Sequence, residues 1–302
     1  MSVKKAEGLP TKDGVGPSCV ALPEGTWRTI IDFLAHRFPG VQRTEWVARM
    51  LRGDVMDARG ETILPETPYR MHARIYYYRN LPIEASIPFD ETVLYQDDYL
   101  VAVDKPHFLP VTPSGRYLQE TLLVRLKRKL GIDTLSPMHR IDRETAGLVL
   151  FTIKPHTRDC YQALFRQRSV VKCYEAIAPW RAELILPMVY RSRLVEGVSF
   201  MKMHEAEGTP NAETAIELLE MEGDLARYAL RPITGQKHQL RAQLNALGIP
   251  IVNDQIYPHH FPEVTAEPDY SKPLQLLAKS LAFNDPISGQ LRQFESRQRL
   301  RF

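Results

Sequence analysis

The 302 residues carry 39 Lys and Arg against 36 Asp and Glu, a formal charge of +3, with 44% hydrophobic and 25% charged residues. That composition excludes a largely disordered chain, and the lack of any run of roughly 18 uncharged residues excludes an ordinary membrane-spanning helix. The length suits one large domain plus a small one, and a pI near 8.7 is compatible with a polyanionic partner without requiring one.

Residues 1 to about 25 mix Lys, Gly, Pro and Ser without periodicity and are expected to form an unstructured arm. Trp27, Ile30, Ile31, Leu34 and Phe38 then recur at helical spacing. Pro39-Gly40 interrupts the run, and Trp46, Val47, Met50 and Leu51 make a second helical stripe ending at Gly53. A small hairpin is predicted from Asp54-Val55-Met56 to Glu61 through Leu64, followed by a strand over Arg74 to Tyr78. Pro82 and Pro88 bracket a linker, which divides the chain into an arm (1–25), a small domain (26–82) and a large domain (83–302).

The large domain opens with a hairpin, Val93-Leu94-Tyr95 and Tyr99 to Val103, leading into Asp104-Lys105-Pro106. Thr121 to Leu130 reads as a basic amphipathic helix and Ala146 to Ile153, nearly all apolar, as a buried strand. A helix over Arg158 to Arg168 and a strand over Lys172 to Ala178 follow. Thr214 to Leu219 and Ala226 to Leu230 flank Gly223-Asp224 as a hairpin. His238 to Leu247 is a helix closed by Gly248, and Leu276 to Phe283 a last strand. Strands outnumber helices and come partly as hairpins, so the expected class is α+β.

The polar N-terminus MSVKKAEGLPTKDG lacks the apolar core of a signal peptide, so a cytoplasmic protein without membrane attachment is expected. Cys19, Cys160 and Cys173 are far apart, odd in number and without CxxC spacing, which reads as reduced thiols. Neither GxGxxG, GxxxxGK[ST], HExxH nor GxSxG occurs, so nothing suggests a nucleotide cofactor, zinc or a serine nucleophile. His259-His260 has no acidic or thiol residue at ligand spacing and is read as a loop pair, not a metal site.

His139-Arg140-Ile141-Asp142-Arg143-Glu144-Thr145-Ala146-Gly147 packs five ionisable side chains into a loop that runs straight into the apolar strand. Charges at the mouth of a buried strand are costly to desolvate unless they pair or take part in chemistry. On composition alone the loop reads as solvated ions pairing with one another.

The stretch MHRIDRETAGLVLF resembles the HRLDRxTSGL signature of RluA-type RNA pseudouridine synthases, with Ile141 for leucine and Ala146 for serine. VLYQDDYLVAVDKP (Val93 to Pro106) is similar to the hairpin that ends in Lys-Pro in that family, and Lys172-Cys173-Tyr174 to its K-x-Y strand. GQKHQLRAQL (Gly235 to Leu244) resembles G-R-T-H-Q-I-R-x-H-L, and LLAKSLAFNDPISG resembles LHAxxLxFxHPxxG. The resemblance runs from about Val93 to Gly289. The two N-terminal helices with RGDVMDARGE resemble an S4-like RNA-binding module, although acidic and basic residues alternate there (Arg43, Glu45, Arg49, Arg52).

The resemblance implies isomerisation of uridine to pseudouridine within a folded ribosomal or transfer RNA, by a monomer without cofactor or metal. It makes Asp142 the catalytic carboxylate, Arg241 its cationic partner and Tyr174 a ring that stacks on uracil with a hydroxyl able to help deprotonate C5. Arg140 would hold the nucleotide out of its stack. His139, Arg143, Thr145, Lys172, Lys237, His238 and Gln239 would complete the substrate-binding set, with Ile233 and Leu240 in the pocket wall or in packing. Arg125, Lys127, Arg128 and Lys129 would form a patch able to follow an RNA backbone.

Departures from the family pattern surround the pocket: Gln236 and Lys237 replace Arg and Thr, IVNDQIYP is a poor version of GDxxYG, and Leu277 replaces histidine. Two other readings stay open on sequence. One is a non-catalytic RNA-binding protein of the same fold. The other is a glycoside hydrolase using Asp142 with Glu144.

Overall fold

A computed structural model describes residues 9–79, 84–197, 202–258 and 269–302. The chain divides into two units, Met1–Glu84 with Pro113–Gln119, and Ala85–Thr112 with Glu120–Phe302. Pro82 of the expected linker and the His259-His260 pair lie outside the described residues.

The first unit contains β1 (Ser18–Ala21), α1 (Ile30–Arg37), α2 (Arg43–Leu51), β2 (Val55–Asp57) and β3 (Arg74–Tyr77). Helix α1 starts at a capping box, in which the Thr29 hydroxyl accepts from the Asp32 amide and the Asp32 carboxylate accepts from the Thr29 amide. Such a cap contributes about 1 kcal/mol. The apolar stripe of α1 (Ile30, Ile31, Phe33, Leu34) packs with Trp46 and Met50 of α2 and with Val55 and Ile75 of the sheet.

Three expectations are corrected in this unit. The arm is not wholly unstructured, because Ser18–Ala21 pairs antiparallel with β3 in a sheet of order β1-β3-β2. This strand is too short, amid Gly and Pro, to show a period. The second arm of the expected 54–64 hairpin is not a strand of its own, although it pairs with β2 through the Met56–Thr62 bridge and through Asp57 N to Glu61 O and Ile63 N to Val55 O, both at 2.9 Å. Residues Pro113–Gln119, expected in the large domain, belong here, where the Leu118 and Gln119 amides donate to the Glu84 carboxylate at 2.7 and 2.8 Å.

The second unit runs β4 (Thr92–Gln96), β5 (Leu100–Lys105), α3 (Leu122–Leu130), β6 (Ser136–Pro137), β7 (Ala146–Thr152), α4 (Arg158–Arg166) and β8 (Val171–Pro179). It continues through β9 (Met188–Glu196), β10 (Met203–Ala206), β11 (Ala212–Glu222), β12 (Leu225–Pro232), α5 (Gln239–Ala246), β13 (Leu276–Asn284) and β14 (Leu291–Glu295). An 11-stranded sheet follows the order β10-β9-β11-β12-β8-β13-β7-β5-β4, with β14 on β13 and β6 on β7. The β13–β7 pair is parallel, its neighbours antiparallel, so the fold is α+β with a mixed, largely antiparallel sheet.

All of β7 is buried, as its apolar run predicts. Gly147 is required at its start: φ is +105°, and a Cβ there would lie 2.3 Å from the Ala278 carbonyl oxygen. This close crossing with β13 fixes where the preceding charged loop leaves the sheet. Leu240 and Leu244 of α5 pack on Ala176, Ile216, Tyr228 and Leu276 of the sheet, which seats α5 against the strands that carry the other site residues.

Helix α3 forms as expected, capped by Thr121 and ended by Gly131 in the left-handed region; of its basic patch Arg128 and Lys129 are exposed, and Arg125 and Lys127 are not. Arg125 donates to the carbonyls of Ile87 and Phe89 and pairs with Glu120 and Glu91. Lys129 also meets Glu91, and Lys127 is buried. Strands β9, β10 and β14 were not expected. The inward positions of β9 include the polar Ser192 and its outward ones the apolar Val189, which blurs the alternation that marks a strand. Among the described residues no helix is long and apolar enough to cross a membrane.

Candidate active site

The 139–145 loop, the cavity-facing residues of β8, the turn after β12 and the start of α5 converge on a cavity of ≈ 130 Å³. Asp142, Tyr174 and Arg241 all line it, as do Arg140, Thr145, Lys172, His238 and Gln239. The remaining candidates do not. His139 is buried, stacked on Phe165 at 4.4 Å, and its Nε2 accepts from the Leu150 amide at 3.2 Å. Burial, reinforced by the Lys172 charge, pushes its pKa down to about 3, so it is a neutral packing residue. Arg143 turns to Glu144 at 2.7 Å, and Lys237 stands 3.9 Å from Glu196.

Arg241 is the centre of the electrostatics. It is 2% exposed, and Nη1 donates to Oδ2 of Asp142 at 2.9 Å. Nε and Nη2 donate to the two oxygens of Asp254 at 2.7 and 2.8 Å. Burial works against the guanidinium charge, but the Asp254 bonds and the charges of Asp254, Asp142 and Glu144 hold its pKa above the ordinary arginine value. The Asp254 side chain is wholly buried, whereas that of Asp142 is 29% exposed. Asp142 therefore has its charge compensated from below and remains open to a ligand from above. Among the described residues no hydrogen bond is made to its Oδ1.

Sequence reasoning gave Arg241 one partner and missed the second. Asp254 lies in IVNDQIYP, where its Oδ1 also accepts from the amides of Ile256 and Tyr257, at 2.8 and 3.0 Å. Tyr257, buried, has its ring 5.7 Å from the Arg241 guanidinium and its hydroxyl 3.5 Å from Nδ1 of His238. The poor motif thus performs a structural task, and the retained Asp-x-x-Tyr spacing was the signal. His238 sits at φ 51° immediately before α5, with Nε2 3.8 Å from Asp142. Burial lowers its pKa, outweighing the pull of Asp142.

Gln239, which lines the cavity, is also a brace. Its Oε1 accepts from the Thr234 hydroxyl and the Gln236 amide, and its Nε2 donates to Glu213 O and Thr214 Oγ1. A side-chain amide has two donors and one oxygen with two lone pairs, so all are used. The ladder continues from the Thr214 hydroxyl to Gln243 at 2.6 Å and from Gln243 to Ser192 at 3.1 Å. It pins the loop before α5 and the register of Arg241. Ile233 is 51% exposed and off the cavity, while Leu240 both lines it and packs in the core.

Glu144, the second carboxylate a hydrolase would need, does not line the cavity. Burial pushes its pKa up, but the Arg143 and Arg241 charges hold it below the ordinary glutamate value. Close by, the fully buried Lys105 ammonium donates to the carbonyls of Pro106, Leu109 and Arg143 at 2.9, 2.8 and 3.0 Å. That cage ties the end of β5 to the backbone beside Asp142.

A sequence profile described as RNA pseudouridylate synthase matches residues 99–246. The dual-specificity RNA pseudouridine synthase RluA of Haemophilus influenzae is 30% identical over 215 residues, 68% of this chain and 92% of that protein. The chain belongs to the RluA-type RNA pseudouridine synthases. This synthase is also 30% identical over 184 residues to the mitochondrial tRNA pseudouridine(32) synthase of Saccharomyces cerevisiae, covering 60% of the chain and 39% of the yeast protein. A solved structure, human RNA pseudouridylate synthase domain containing 4, superimposes with TM-score 0.53 at 26% identity, over 69% of this synthase and 88% of the human chain. The synthase is an RNA-modifying isomerase.

Proposed function

We propose that this synthase converts a specific uridine of a folded ribosomal or transfer RNA into pseudouridine, with Asp142 as its catalytic carboxylate. The observation that carries the reading is the asymmetric setting of that carboxylate. Oδ2 is bound by a buried Arg241 already neutralised by Asp254, Oδ1 accepts no hydrogen bond among the described residues, and Asp142 lines the cavity together with Tyr174.

Isomerisation breaks the N1–C1′ bond and rejoins C1′ to C5 of the same base, with no change in electron count. A carboxylate can serve by adding to the sugar or the base, or by removing a sugar proton; Asp142 Oδ1 is the atom placed for any of these. Arg140, exposed at the mouth and 3.5 Å from the Thr112 hydroxyl, is free to fill the gap left when the nucleotide is extruded. Extrusion costs a few kcal/mol, which such contacts offset. Tyr174 offers a ring face for uracil. Burial and the Asp142 charge raise its pKa, so it is a neutral phenol that relays a proton and does not start as a base.

The first unit is proposed as an S4-like accessory that adds phosphate contacts, and its exposed Arg28, Arg37 and Arg59 support this. The name of the yeast relative, a tRNA pseudouridine(32) synthase, supports the transfer-RNA class of target.

Carbodiimide-dependent reverse-transcription stops, mapped across total RNA with and without the gene, test the function. A stop lost with the gene and restored by adding purified protein is expected. Identical maps, with no new stop on adding protein to the RNA of the deletion strain, would contradict it.

A further inference from the structure

We propose that Lys172 carries the charge of the detached base: its ammonium stabilises the uracil anion that exists between cleavage of the N1–C1′ bond and formation of the C5–C1′ bond. The inference rests on the isomerase reading of this cavity.

Lys172 and Tyr174 stand two residues apart on β8, and both line the cavity. Strand geometry puts such neighbours on one face, roughly 6 to 7 Å apart along the chain. A uracil lying on the Tyr174 ring therefore presents its edge to the Lys172 head. The ammonium is held from behind, since Nζ donates to the Thr234 carbonyl at 3.1 Å and the Gln239 ladder fixes Thr234. An ammonium has three N–H bonds. Among the described residues Thr234 is the one hydrogen-bond acceptor of Lys172, which leaves two donors for a ligand.

The other cations near the site differ. Arg241 is engaged by Asp254 and Asp142, and Arg143 by Glu144, whereas no carboxylate lies in ion-pair range of Lys172 among the described residues. Burial, with a smaller push from Arg168, lowers its pKa, which is what an unpaired cation in a partly desolvated place shows. His139 behind it is kept neutral and does not compete for an anion. A half-buried positive charge without an anion is a preorganised site for negative charge that develops during reaction.

The electron balance calls for such a site. When N1–C1′ breaks, the bonding pair leaves with the base, giving uracil a negative charge spread over N1 and its carbonyl oxygens. C1′ is captured by Asp142 Oδ1, or the sugar loses its 2′ proton to that oxygen. C5 of the anion then bonds to C1′ as the C1′–Oδ1 bond breaks, or as Asp142 returns the 2′ proton to the sugar; the C5 proton leaves and N1 gains a proton, so that atoms and charge are restored and the carboxylate is regenerated. Lys172 transfers nothing; it holds the oxygen-borne charge. A donor-only head also meets an amino group where cytosine replaces the O4 of uracil, so the same contact disfavours cytidine.

The test compares wild type, Lys172→Met and Lys172→Gln on the mapped RNA carrying either uridine or 5-fluorouridine at the target, in single turnover at saturating enzyme. Fluorine withdraws electron density and stabilises the departing anion without help. The expected result is near-normal affinity and glycosidic cleavage slower by on the order of 100-fold for uridine, a deficit that shrinks several-fold for 5-fluorouridine. An equal deficit on both substrates would overturn the role. So would an unchanged rate with weaker binding and a shallower salt slope, the signature of a phosphate contact. If the Met variant melts early, Lys172→Arg, which keeps the charge, replaces it and should show a smaller, fluorine-insensitive deficit, against a fluorine-sensitive one for Gln. Wild type that leaves the mapped uridine unchanged would sink the isomerase reading itself; a fluorine-insensitive deficit in the charge-removing Met or Gln variant beside active wild type sinks only Lys172.

Discussion

Arg241 commits Nε and Nη2 to Asp254, at 2.7 and 2.8 Å, and so presents a single nitrogen to Asp142. Asp254 thus aims the guanidinium and cancels most of its charge, leaving Asp142 held but not quenched. Asp254→Asn keeps the shape and removes the charge, so Arg241 should draw more strongly on Asp142. The single-turnover rate should fall at least tenfold, by roughly 1.4 kcal/mol of barrier, with RNA affinity little changed. Denaturant unfolding should show a loss of about 3 to 5 kcal/mol, because the buried cation loses its main partner. A wild-type rate in a stable Asn variant would reduce Asp254 to scaffold.

Tyr174→Phe removes a hydroxyl whose pKa lies above the ordinary tyrosine value, but keeps the ring. RNA binding should persist within about twofold while the chemical step slows by about 10²-fold or more, the scale of a missing proton-transfer group. Rapid-quench single turnover checks this. Equal rates would confine Tyr174 to stacking.

Lys105 gives a pH prediction. Burial pushes its pKa down to about 7 against an ordinary 10.5, with Glu144 and Asp142 pulling the other way. Between those values the unfolded chain holds a proton that the folded one lacks, so stability rises with pH across that window and the cost of the buried charge is greatest below about 7. Lys105→Met cannot titrate. The stability difference, wild type minus variant, should therefore grow between pH 7 and 9, with a limiting slope of about 1.4 kcal/mol per pH unit. Urea unfolding across that range measures it, and a flat difference would show that the carbonyl cage keeps the ammonium charged throughout.

The first unit is tested by its charges. Replacing Arg28, Arg37 and Arg59 with Gln should weaken RNA binding and make the salt slope shallower by about one unit for each arginine–phosphate pair removed. The single-turnover rate at saturation should not move. An unchanged slope would make this unit structural or assign it another partner.

The site was legible through its motifs more than through residue type. On composition alone the charged loop at the mouth of β7 reads as solvated ion pairs, and it is the resemblance around Asp142, Tyr174 and Arg241 that pointed to a common site; the structure places all three on one cavity. What the sequence withheld was which bonds are already taken. Gln239 looks available until its hydrogen bonds to Thr234 and the Glu213 carbonyl are traced, and the basic face of α3 looks free until Glu91 and Glu120 fold against it. Asp254 was hidden for the converse reason, its segment departing from the family pattern everywhere except at Asp and Tyr. In the fold, β7 declared itself through its unbroken apolar run and α5 through the Gly248 that closes it. Strand β9, whose buried positions include a serine, did not.

The central claim is that Oδ1 of Asp142 performs the chemistry. Asp142→Asn keeps the shape of the side chain and loses its charge, so the variant should fold, bind the mapped RNA nearly as tightly as wild type and form no pseudouridine under single-turnover conditions. Pseudouridine formed by purified Asp142→Asn at a rate within tenfold of wild type would contradict the account.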